Sequence, residues 1–391
     1  MSQFKKIYLL RQNTPIWHFQ HNQGNATLRA TEVKPKLDRF LLVNTKVDIK
    51  PEWFIKQEDS KSLDYKLHIY TGVMPEKPKE KDLPQFFGNT GVGKLPEELA
   101  VSKKKALFFK GEIFFEIFSM YPDLIKYIGE RLEEFFFVYN FGTRQSKGYG
   151  SFSFIGEFGS SNTYCSSLKV SNSHNAFKEQ EGVHVKILSS FKVESKDYID
   201  VLNAIDLFYK SIRGGILGKM DSVLSKWISM NHKLEWDKKV LAKLFKPKNG
   251  QMPDIKVNPE RDFLYRDYMG LAVDMRPWNG QMSKEHKDIR RFKSPVFIKP
   301  VVEDKGYRVY IGCNNTANKL KGEKFNVTFK KGRKITKEIQ MYPSFDLQKY
   351  LEYCIVNGES FVRNNCNNYK VKKDLIDIYE QLKNNKTVNG K

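Results

Sequence analysis

The stretch GTRQSKGYGSF, residues 142–152, places three glycines around two basic residues and one tyrosine. Glycine adopts positive φ at little steric cost. Gly142, Gly148 and Gly150 are therefore expected to let the backbone approach a ligand and turn its N–H groups toward phosphate oxygens. The stretch predicts an anion-binding loop at the end of a structural unit.

The side chains of this loop add to that expectation. Arg144 can bind a phosphate through two parallel hydrogen bonds, whereas Lys147 supplies a mobile point charge. Tyr149 offers a ring on which a base can stack, which is worth about 1–3 kcal/mol per base in proteins that bind single strands. The alternative is a basic turn with its tyrosine packed inward.

Outward from the loop, apolar patterns of strand and helix type alternate. Residues 106–118 are dense in aromatic and β-branched residues and predict a central strand. Residues 122–139 predict a helix that begins with proline, and residues 151–155 predict a strand after the loop. Nearer the N-terminus, residues 6–10 predict a strand and residues 28–41 predict a helix.

In the second part of the chain, residues 183–191 predict a strand and residues 197–213 predict a helix. Residues 346–356 predict a late helix. Strands are predicted for the segments SPVFIKPVV, GYRVYIGC, KFNVTF and EIQMY.

Neither half shows the regular spacing of a parallel doubly wound sheet, so we expect the α+β class with two antiparallel sheets. A Ser- and Asn-rich stretch over residues 157–182 marks a break in composition. We expect an N-terminal domain over 1–160, a linker over 161–182 and a C-terminal domain over 183–391. A helical insertion is expected at about 214–260 in the second domain.

The charge of the chain points to a polyanionic partner. Its 67 Lys and Arg residues against 45 Asp and Glu residues leave a formal charge of +22. Because 40% of residues are hydrophobic and 14% are aromatic, this charge belongs to a folded protein. We expect nucleic acid rather than a membrane, since charges interrupt even the most apolar stretch, residues 106–120. The four cysteines lack CxxC spacing, so we expect reduced thiols and a cytoplasmic protein.

Three further basic clusters accompany the loop. The first, at the start of the predicted helix over 28–41, can attract anions together with the helix N-terminus. The second precedes the strand that begins at Ser294-Pro295, and the third, KKGRKITK at residues 330–337, is most simply a solvated hairpin tip. The candidate RNA contacts in the first two clusters are Arg29, Lys34, Lys36, Arg39, Arg290, Arg291 and Lys293. A solvated charged surface is the alternative for each.

The sequence gives little sign of catalysis. Neither HExxH nor GxSxG occurs, and we expect no metal site and no cofactor. His18 and His21 lie close together in a polar segment, and a histidine there could act as general base on a ribose 2′-hydroxyl. A surface histidine without a catalytic role is the simpler interpretation.

Four segments, taken in order, resemble a known family. They are an early strand followed by Thr14-Pro15, then LRATEVKPKLDRF, GTRQSKGYGSF and RRFKSPVFIKPV. The order resembles the RAMP superfamily of CRISPR RNA-guided effector subunits, and most closely the first-numbered subunit of the type III-B (Cmr) complex. The glycine-arginine loop is the most specific for the superfamily, and the late R-x-x-SP strand for this subunit.

The resemblance implies two ferredoxin-like, RRM-type domains and a ribonucleoprotein role in antiviral defence. It implies binding of guide RNA near its 3′ end, with target RNA and other RAMP subunits as further partners. The subunit is not regarded as the nuclease, so the leading hypothesis is a non-catalytic RNA-binding subunit. The alternatives are a stand-alone, metal-independent RNA endonuclease that processes guide RNA through His18 or His21, and a basic module that binds a protein partner.

Overall fold

The computed structural model of the chain describes residues 3–18, 28–43, 49–55, 62–72, 76, 83–84, 105–159, 185–249, 251–290 and 292–386. The linker expected over 161–182 lies outside these ranges, and so do His21 and Arg291. The three described cysteines, Cys313, Cys354 and Cys366, are buried free thiols.

The first half contains a sheet built around one alternating strand. The strands of the first half are β1 Lys5–Gln12, β2 Ile16–His18, β3 Lys66–Thr71, β4 Lys105–Leu107, β5 Glu112–Phe118 and β6 Phe152–Glu157. Its helices are α1 Ala30–Val43, α2 Pro122–Gly129 and α3 Leu132–Val138. In β5, Ile113, Phe115 and Ile117 are fully buried at every second position, which places one face of the strand on the core.

Four of these strands form one antiparallel sheet in the order β3-β5-β1-β6. Along the chain, helices separate β1 from β3 and β5 from β6, so the order is β-α-β-β-α-β. Phe40 of α1 and Phe135 of α3 share a core with Phe115 of β5, and the rings of Phe40 and Phe135 lie 5.5 Å apart. The helices therefore cover the apolar face of this sheet.

Two expectations for the first half need correction. Residues 106–118 are not one strand, because the chain changes partners: β4 pairs with β2, whereas β5 pairs with β1 and β3. The helix expected over 122–139 is divided between α2 and α3. α2 ends at Gly129, where a Cβ would lie 2.2 Å from the Tyr8 hydroxyl oxygen, so only glycine permits this close packing.

The described part of the second half has two sheets and five helices. Its strands are β7 Val185–Val193, β8 Phe263–Leu264, β9 Asp274–Met275, β10 Gln281–Glu285, β11 Val296–Glu303, β12 Gly306–Asn314, β13 Lys324–Lys331 and β14 Arg333–Met341. Its helices are α4 Tyr198–Arg213, α5 Val223–His232, α6 Asp237–Phe245, α7 Leu347–Asn365 and α8 Tyr369–Asn384. The helix predicted over 197–213 is confirmed, and the Asp197 carboxylate accepts the Ile199 N–H at its start.

The strands predicted for this half divide between the two sheets. β11 and β12 join β7 in the order β11-β12-β7, whereas β13 and β14 belong to a sheet with the order β8-β14-β13-β10-β9. All pairs are antiparallel except β8 with β14. Since β8 and β9 have two residues each, no alternating pattern marks them in the sequence. The insertion expected over 214–260 does contain α5 and α6, but it continues into this second sheet.

The chain is thus a mixed α/β protein with antiparallel sheets and several helices. Its two halves share a core, because Trp17, Ala106 and Tyr149 of the first half pack among buried residues of the second. Among the described helices, none is long and apolar enough to span a bilayer.

Candidate nucleic-acid interface

The glycine-rich loop has the backbone conformation that its sequence predicts. Gly142, Gly148 and Gly150 have φ of +73°, +77° and +65°. At Gly150 a Cβ would lie 1.9 Å from the Phe141 carbonyl oxygen. Both the positive φ and the close approach therefore require glycine.

The N–H groups of these glycines bind protein acceptors, which does not support their role as a phosphate cradle. The Gly142 N–H donates to the Glu32 Oε1 at 2.8 Å, so a carboxylate occupies the place proposed for a phosphate. The Gly148 N–H donates to the Gln145 carbonyl at 3.4 Å, and the Gly150 N–H to the Pro15 carbonyl at 2.9 Å. The glycines shape the loop, and their N–H groups are occupied within the fold.

Tyr149 packs inward, so its proposed stacking with a base is not supported. Its side chain is completely buried, and its hydroxyl donates to the Pro84 carbonyl at 3.2 Å. The ring lies edge-on to Trp17 at 6.3 Å between centroids. The Arg144 guanidinium lies 4.7 Å from the centre of the Trp17 ring, which orients this arginine by a cation–π contact.

Lys147 is directed toward α4. Its ammonium nitrogen lies 2.9 Å from the centre of the Tyr209 ring. Burial lowers the pKa of Lys147 well below its ordinary value, the nearby Arg213 adds to this effect, and Asp206 opposes it. The loop thus connects the two halves, since Gly148 also lies against Ile205 of α4.

The basic side chains of α1 differ in whether they are bound within the fold or exposed. Lys34 Nζ donates to Asp38 at 2.9 Å, Ser62 at 3.1 Å and the Leu63 carbonyl at 2.9 Å, so it stabilises the fold and is not supported as an RNA contact. Arg39 is exposed, whereas Arg29 is partly buried at the start of the helix.

Lys36 links α1 to the loop. Its ammonium donates to the Glu32 Oε1 at 2.8 Å, the atom that also accepts the Gly142 N–H. The same ammonium lies 4.7 Å from the centre of the Phe141 ring.

The segment before β11 brings a second set of cations to this place. Arg290 and Lys293 lie at the surface, but the Lys293 ammonium packs against the loop, where it donates to the Gln145 side chain and is partly removed from water. Burial lowers the pKa of Lys293 to about 8; the nearby Lys36 contributes to this, and Glu32 opposes it. Two cations that are far apart in the sequence therefore lie on one surface.

A cavity of about 340 Å³ opens beside this surface. Its lining comes from the end of α3, the loop, the starts of β7 and β11, the segment before β11, and the end of β12 with the residues that follow it. The lining residues are Val138, Tyr139, Asn140, Gln145, Ser146, Val185, Phe292, Lys293, Ser294, Val296, Phe297, Asn314, Thr316 and Lys319. The lining contains two lysines and no carboxylate. Sequence reasoning missed Lys319 and the cavity, because no local pattern connects these distant segments.

Arg39 belongs to the same surface. Arg39 precedes Phe40, whose ring lies 6.3 Å from that of Tyr139, a lining residue of the cavity. Burial raises the pKa of Tyr139, and the positive charge of Arg39 opposes that rise. We call Lys36, Arg39, Lys293 and Lys319, together with the cavity, the cationic surface.

The structure describes little of the two histidines on which the endonuclease alternative depends. His18 is the last residue of β2 and pairs with Lys105, but its side chain, like the whole of His21, lies outside the described part of the chain. Within the described ranges, no three His, Cys, Asp or Glu side chains lie together so that they could hold a metal ion.

Fold and site together define a class: a mixed α/β protein with antiparallel sheets whose two halves meet at a cationic cavity. Residues 3–216 match the model of the Cmr1 N-terminal domain, and residues 219–384 match the model of the Cmr1 C-terminal domain. The chain therefore belongs to the Cmr1 family. This confirms the resemblance to the first-numbered Cmr subunit, while no curated protein matches the chain.

Similar solved structures include the crystal structure of Cmr1 from Pyrococcus furiosus in its apo form. It has 14% identity and a TM-score of 0.41, with 80% of this chain and 89% of that chain covered. A chain in the cryo-EM structure of the type III-B Cmr-beta bound to cognate target RNA has 11% identity and a TM-score of 0.42. In that case 97% of this chain and 99% of the other are covered.

Proposed function

We propose that this chain is a non-catalytic, RNA-binding subunit of a type III-B CRISPR effector complex. It would bind guide RNA near its 3′ end, contact target RNA and adjoin other RAMP subunits. Membership of the Cmr1 family supports the assignment to this complex. In addition, a solved complex with a similar chain is a Cmr-beta assembly bound to cognate target RNA.

The observation that carries the RNA-binding role is the convergence of Lys36 and Lys293 beside the cavity. Lys36 shares the Glu32 carboxylate with the Gly142 N–H of the loop, and Lys293 donates to Gln145 of the same loop. Burial is the main cause of the lowered pKa of Lys293; the positive charge of the nearby Lys36 adds to it, and Glu32 opposes it. A bound phosphate would compensate the charge of Lys293, whereas the charge of Lys36 is already balanced by Glu32. Arg39 and Lys319 extend the same positive field, and both are exposed.

Such a surface binds the ribose-phosphate chain and does not read its sequence. Specificity would come from base pairing by the guide RNA, as in other RNA-guided effectors. The proposed role of Arg144 is then to hold the loop in shape over Trp17, next to the surface that meets RNA.

We further propose that both halves are variants of the ferredoxin-like fold. The β-α-β-β-α-β order and the sheet order β3-β5-β1-β6 support this for the first half. In the second half, β7, α4, β11 and β12 follow the same order as far as the third strand, with the helices α5 and α6 and the second sheet inserted before β11.

The salt dependence of RNA binding tests the proposed function. Replacing Arg39 and Lys319 by alanine removes two phosphate contacts, so the log–log slope of affinity against salt should flatten by about 1–2 units. Fluorescence anisotropy with a labelled single-stranded repeat RNA measures the slope. The control is the Lys331→Ala, Arg333→Ala variant, which changes two exposed cations near the turn between β13 and β14.

The control should keep the wild-type slope. Equal slopes for the wild type and the Arg39, Lys319 variant would refute direct phosphate binding by this surface. Recovery of intact RNA after incubation with the protein in EDTA is expected for a binding subunit, whereas cleavage that is lost in His18→Ala would favour the nuclease alternative.

A further inference from the structure

The turn after α4, residues 214–221, holds one leucine fully in water. The Ile216 N–H donates to the Met220 carbonyl at 2.8 Å, and the Met220 N–H donates to the Ile216 carbonyl at 2.9 Å, so hydrogen bonds close the turn from both sides. Gly215 has φ of +79°, and a Cβ there would lie 2.7 Å from the Met220 carbonyl oxygen, which only glycine permits. Leu217, at the tip of the turn, is 100% exposed. The backbone is therefore ordered around an apolar side chain that adds nothing to the core.

The start of α8 lies beside this turn. The Asn367 N–H donates to the Lys219 carbonyl at 2.9 Å, which joins the segment between α7 and α8 to the turn. Tyr369, the first residue of α8, is 83% exposed. Large exposed apolar side chains on adjoining segments, unlike scattered ones, indicate an interaction surface.

A polar cavity of about 460 Å³ is lined by the turn, by α6 and by the end of α7. Its lining includes Lys219, Lys238 and Asn367, and Asp221 is the one carboxylate among the lining residues. Lys238 Nζ donates to the Gly214 carbonyl at 2.8 Å. Across the described residues, no hydrogen-bond partner is present for Lys219 Nζ or for the Asn367 side-chain amide. These two groups are available to a carboxylate brought by another molecule.

Cations also surround Tyr369. A shallow depression on α7 and α8 is lined by this tyrosine, by two carboxylates and by Arg363, Lys372 and Lys373. Arg363 Nη2 donates to one of the carboxylates, Glu380, at 2.7 Å, and the other accepts from a glutamine side chain of α8 at 3.2 Å. Both carboxylates thus have partners within the fold, whereas no ion pair in the described ranges involves Lys372 or Lys373. The depression is left with a positive charge.

These features favour a protein over RNA as the molecule that covers this surface. Phosphates could bind the lysines, but a fully exposed aliphatic side chain gains free energy only in an apolar pocket, which a folded protein provides. Tyrosine is enriched in protein interfaces for a similar reason. The lysines complement a partner that presents carboxylates around such a pocket.

We infer that a neighbouring protein subunit of the effector complex docks here, with carboxylates around an apolar pocket that receives Leu217. This inference rests on the proposed function and adds to it the place and the chemistry of one subunit contact. Because hydrogen bonds already hold the turn in shape, docking costs little conformational entropy. The residues that make up this docking surface are Leu217, Lys219, Tyr369, Lys372 and Lys373.

Zero-length crosslinking tests the acidic partner. A carbodiimide joins a carboxylate to a lysine amine through an amide bond and adds no spacer, so it links only groups that are in contact. The probe is the complex assembled from this chain and the other type III-B subunits, digested after crosslinking and analysed by mass spectrometry. We expect intersubunit crosslinks from Lys219, Lys372 or Lys373 to Asp or Glu residues of one other subunit. Intersubunit crosslinks that lie only elsewhere on this chain would refute the docking surface.

Two double variants test the contact by its strength. Leu217→Ser with Tyr369→Ser removes both apolar side chains, and Lys372→Glu with Lys373→Glu reverses two charges. Each should weaken binding at least about tenfold, because the first loses buried apolar area and the second places like charges together. Biolayer interferometry on the immobilised complex of the other subunits, prepared without this chain, measures the affinity.

The controls change the same residue types away from the docking surface. Met120→Ser alters an exposed methionine of the first half, and Lys330→Glu with Lys331→Glu reverses two exposed charges at the end of β13. Both should bind the other subunits as the wild type does. Thermal unfolding shows whether each variant is folded.

The outcomes separate the docking surface from the proposed function. If the wild type binds the other subunits and both double variants bind equally well, the docking surface is refuted and the proposed function remains. Double variants that assemble normally but lose RNA affinity in anisotropy titrations would assign these residues to RNA, which also refutes it. A wild-type chain that does not bind the other subunits refutes both proposals.

Discussion

Replacing Lys299 by methionine should destabilise the protein strongly, although it removes a buried charge. Lys299 lies on β11 and is completely buried. Its ammonium donates to the carbonyl oxygens of Phe136 at 2.6 Å, Tyr139 at 3.0 Å and Phe152 at 3.0 Å, and to Asn140 Oδ1 at 3.2 Å. All four acceptors belong to the first half, so one lysine fastens the two halves together.

The magnitude follows from the three N–H groups of the ammonium, which these four oxygens share. Methionine fills a similar space but donates no hydrogen bond, and each buried acceptor left without a partner costs about 1 kcal/mol or more. Removing the ammonium returns part of this cost, because burying a charge is itself unfavourable. We expect a net loss of about 2–3 kcal/mol in the free energy of unfolding.

Urea denaturation at pH 7, followed by tryptophan fluorescence, measures the loss as a lower midpoint with an unchanged slope. The control is Lys305→Met in the exposed turn between β11 and β12, which should change the free energy by less than about 0.5 kcal/mol. A Lys299→Met variant as stable as the wild type would refute the view that the hydrogen bonds outweigh the cost of burial.

The pH dependence gives an independent check. Burial lowers the pKa of Lys299 well below its ordinary value, so the unfolded chain binds more protons than the native state between the two pKa values. The lysine therefore contributes more stability as the pH rises toward its ordinary pKa of about 10.4. The difference in stability between the wild type and Lys299→Met should widen over this range, and a constant difference would contradict the assigned pKa direction.

Three further predictions concern the loop and the cationic surface. Gly150→Ala should lower stability by about 1–3 kcal/mol in thermal unfolding, because Gly150 has positive φ and a Cβ there would contact Phe141. The control is Gly218→Ala, where φ is +67° but no atom lies within 4 Å, so it should show the cost of backbone strain alone. Equal losses of stability in the two variants would contradict the close contact at Gly150. Tyr149→Phe should lower stability by about 1 kcal/mol, because the hydroxyl loses its hydrogen bond. It should leave RNA affinity unchanged in anisotropy titrations, since the ring is completely buried. Weaker RNA binding by this variant would support the stacking hypothesis. RNA affinity should fall as the pH rises through about 8, where Lys293 loses its proton. The Lys293→Arg variant should remove most of that fall, because arginine keeps its charge. Parallel pH profiles of RNA affinity for the wild type and this variant would exclude Lys293 as a contact.

Local features of the fold could be predicted from the sequence. The positive φ of Gly142, Gly148 and Gly150 follows from the chemistry of glycine, and the helix over 197–213 follows from apolar periodicity with Asp197 at its start. The excess of basic residues likewise predicts a positive field without any structure. In each case the cause lies within a few residues along the chain or in the composition as a whole.

The division of strands between sheets could not be predicted in this way. β12 and β13 have similar apolar alternation, yet β12 pairs with β7 and β13 pairs with β14 and β10. Which strand pairs with which depends on the path of the whole chain, and a period of two does not encode it.

The sequence by itself determined that glycines can form the turn of the loop, that residues 197–213 are helical, and that the chain has an excess of positive charge. Only the tertiary structure decided that Tyr149 faces the core, that Lys34 is bound within the fold, and that Lys36 and Lys293 meet beside a cavity. The physical reason is how far apart along the chain the interacting groups lie. Backbone conformation depends on neighbouring residues, whereas burial, hydrogen-bond partners and the pKa of a side chain depend on groups that folding brings from distant parts of the chain.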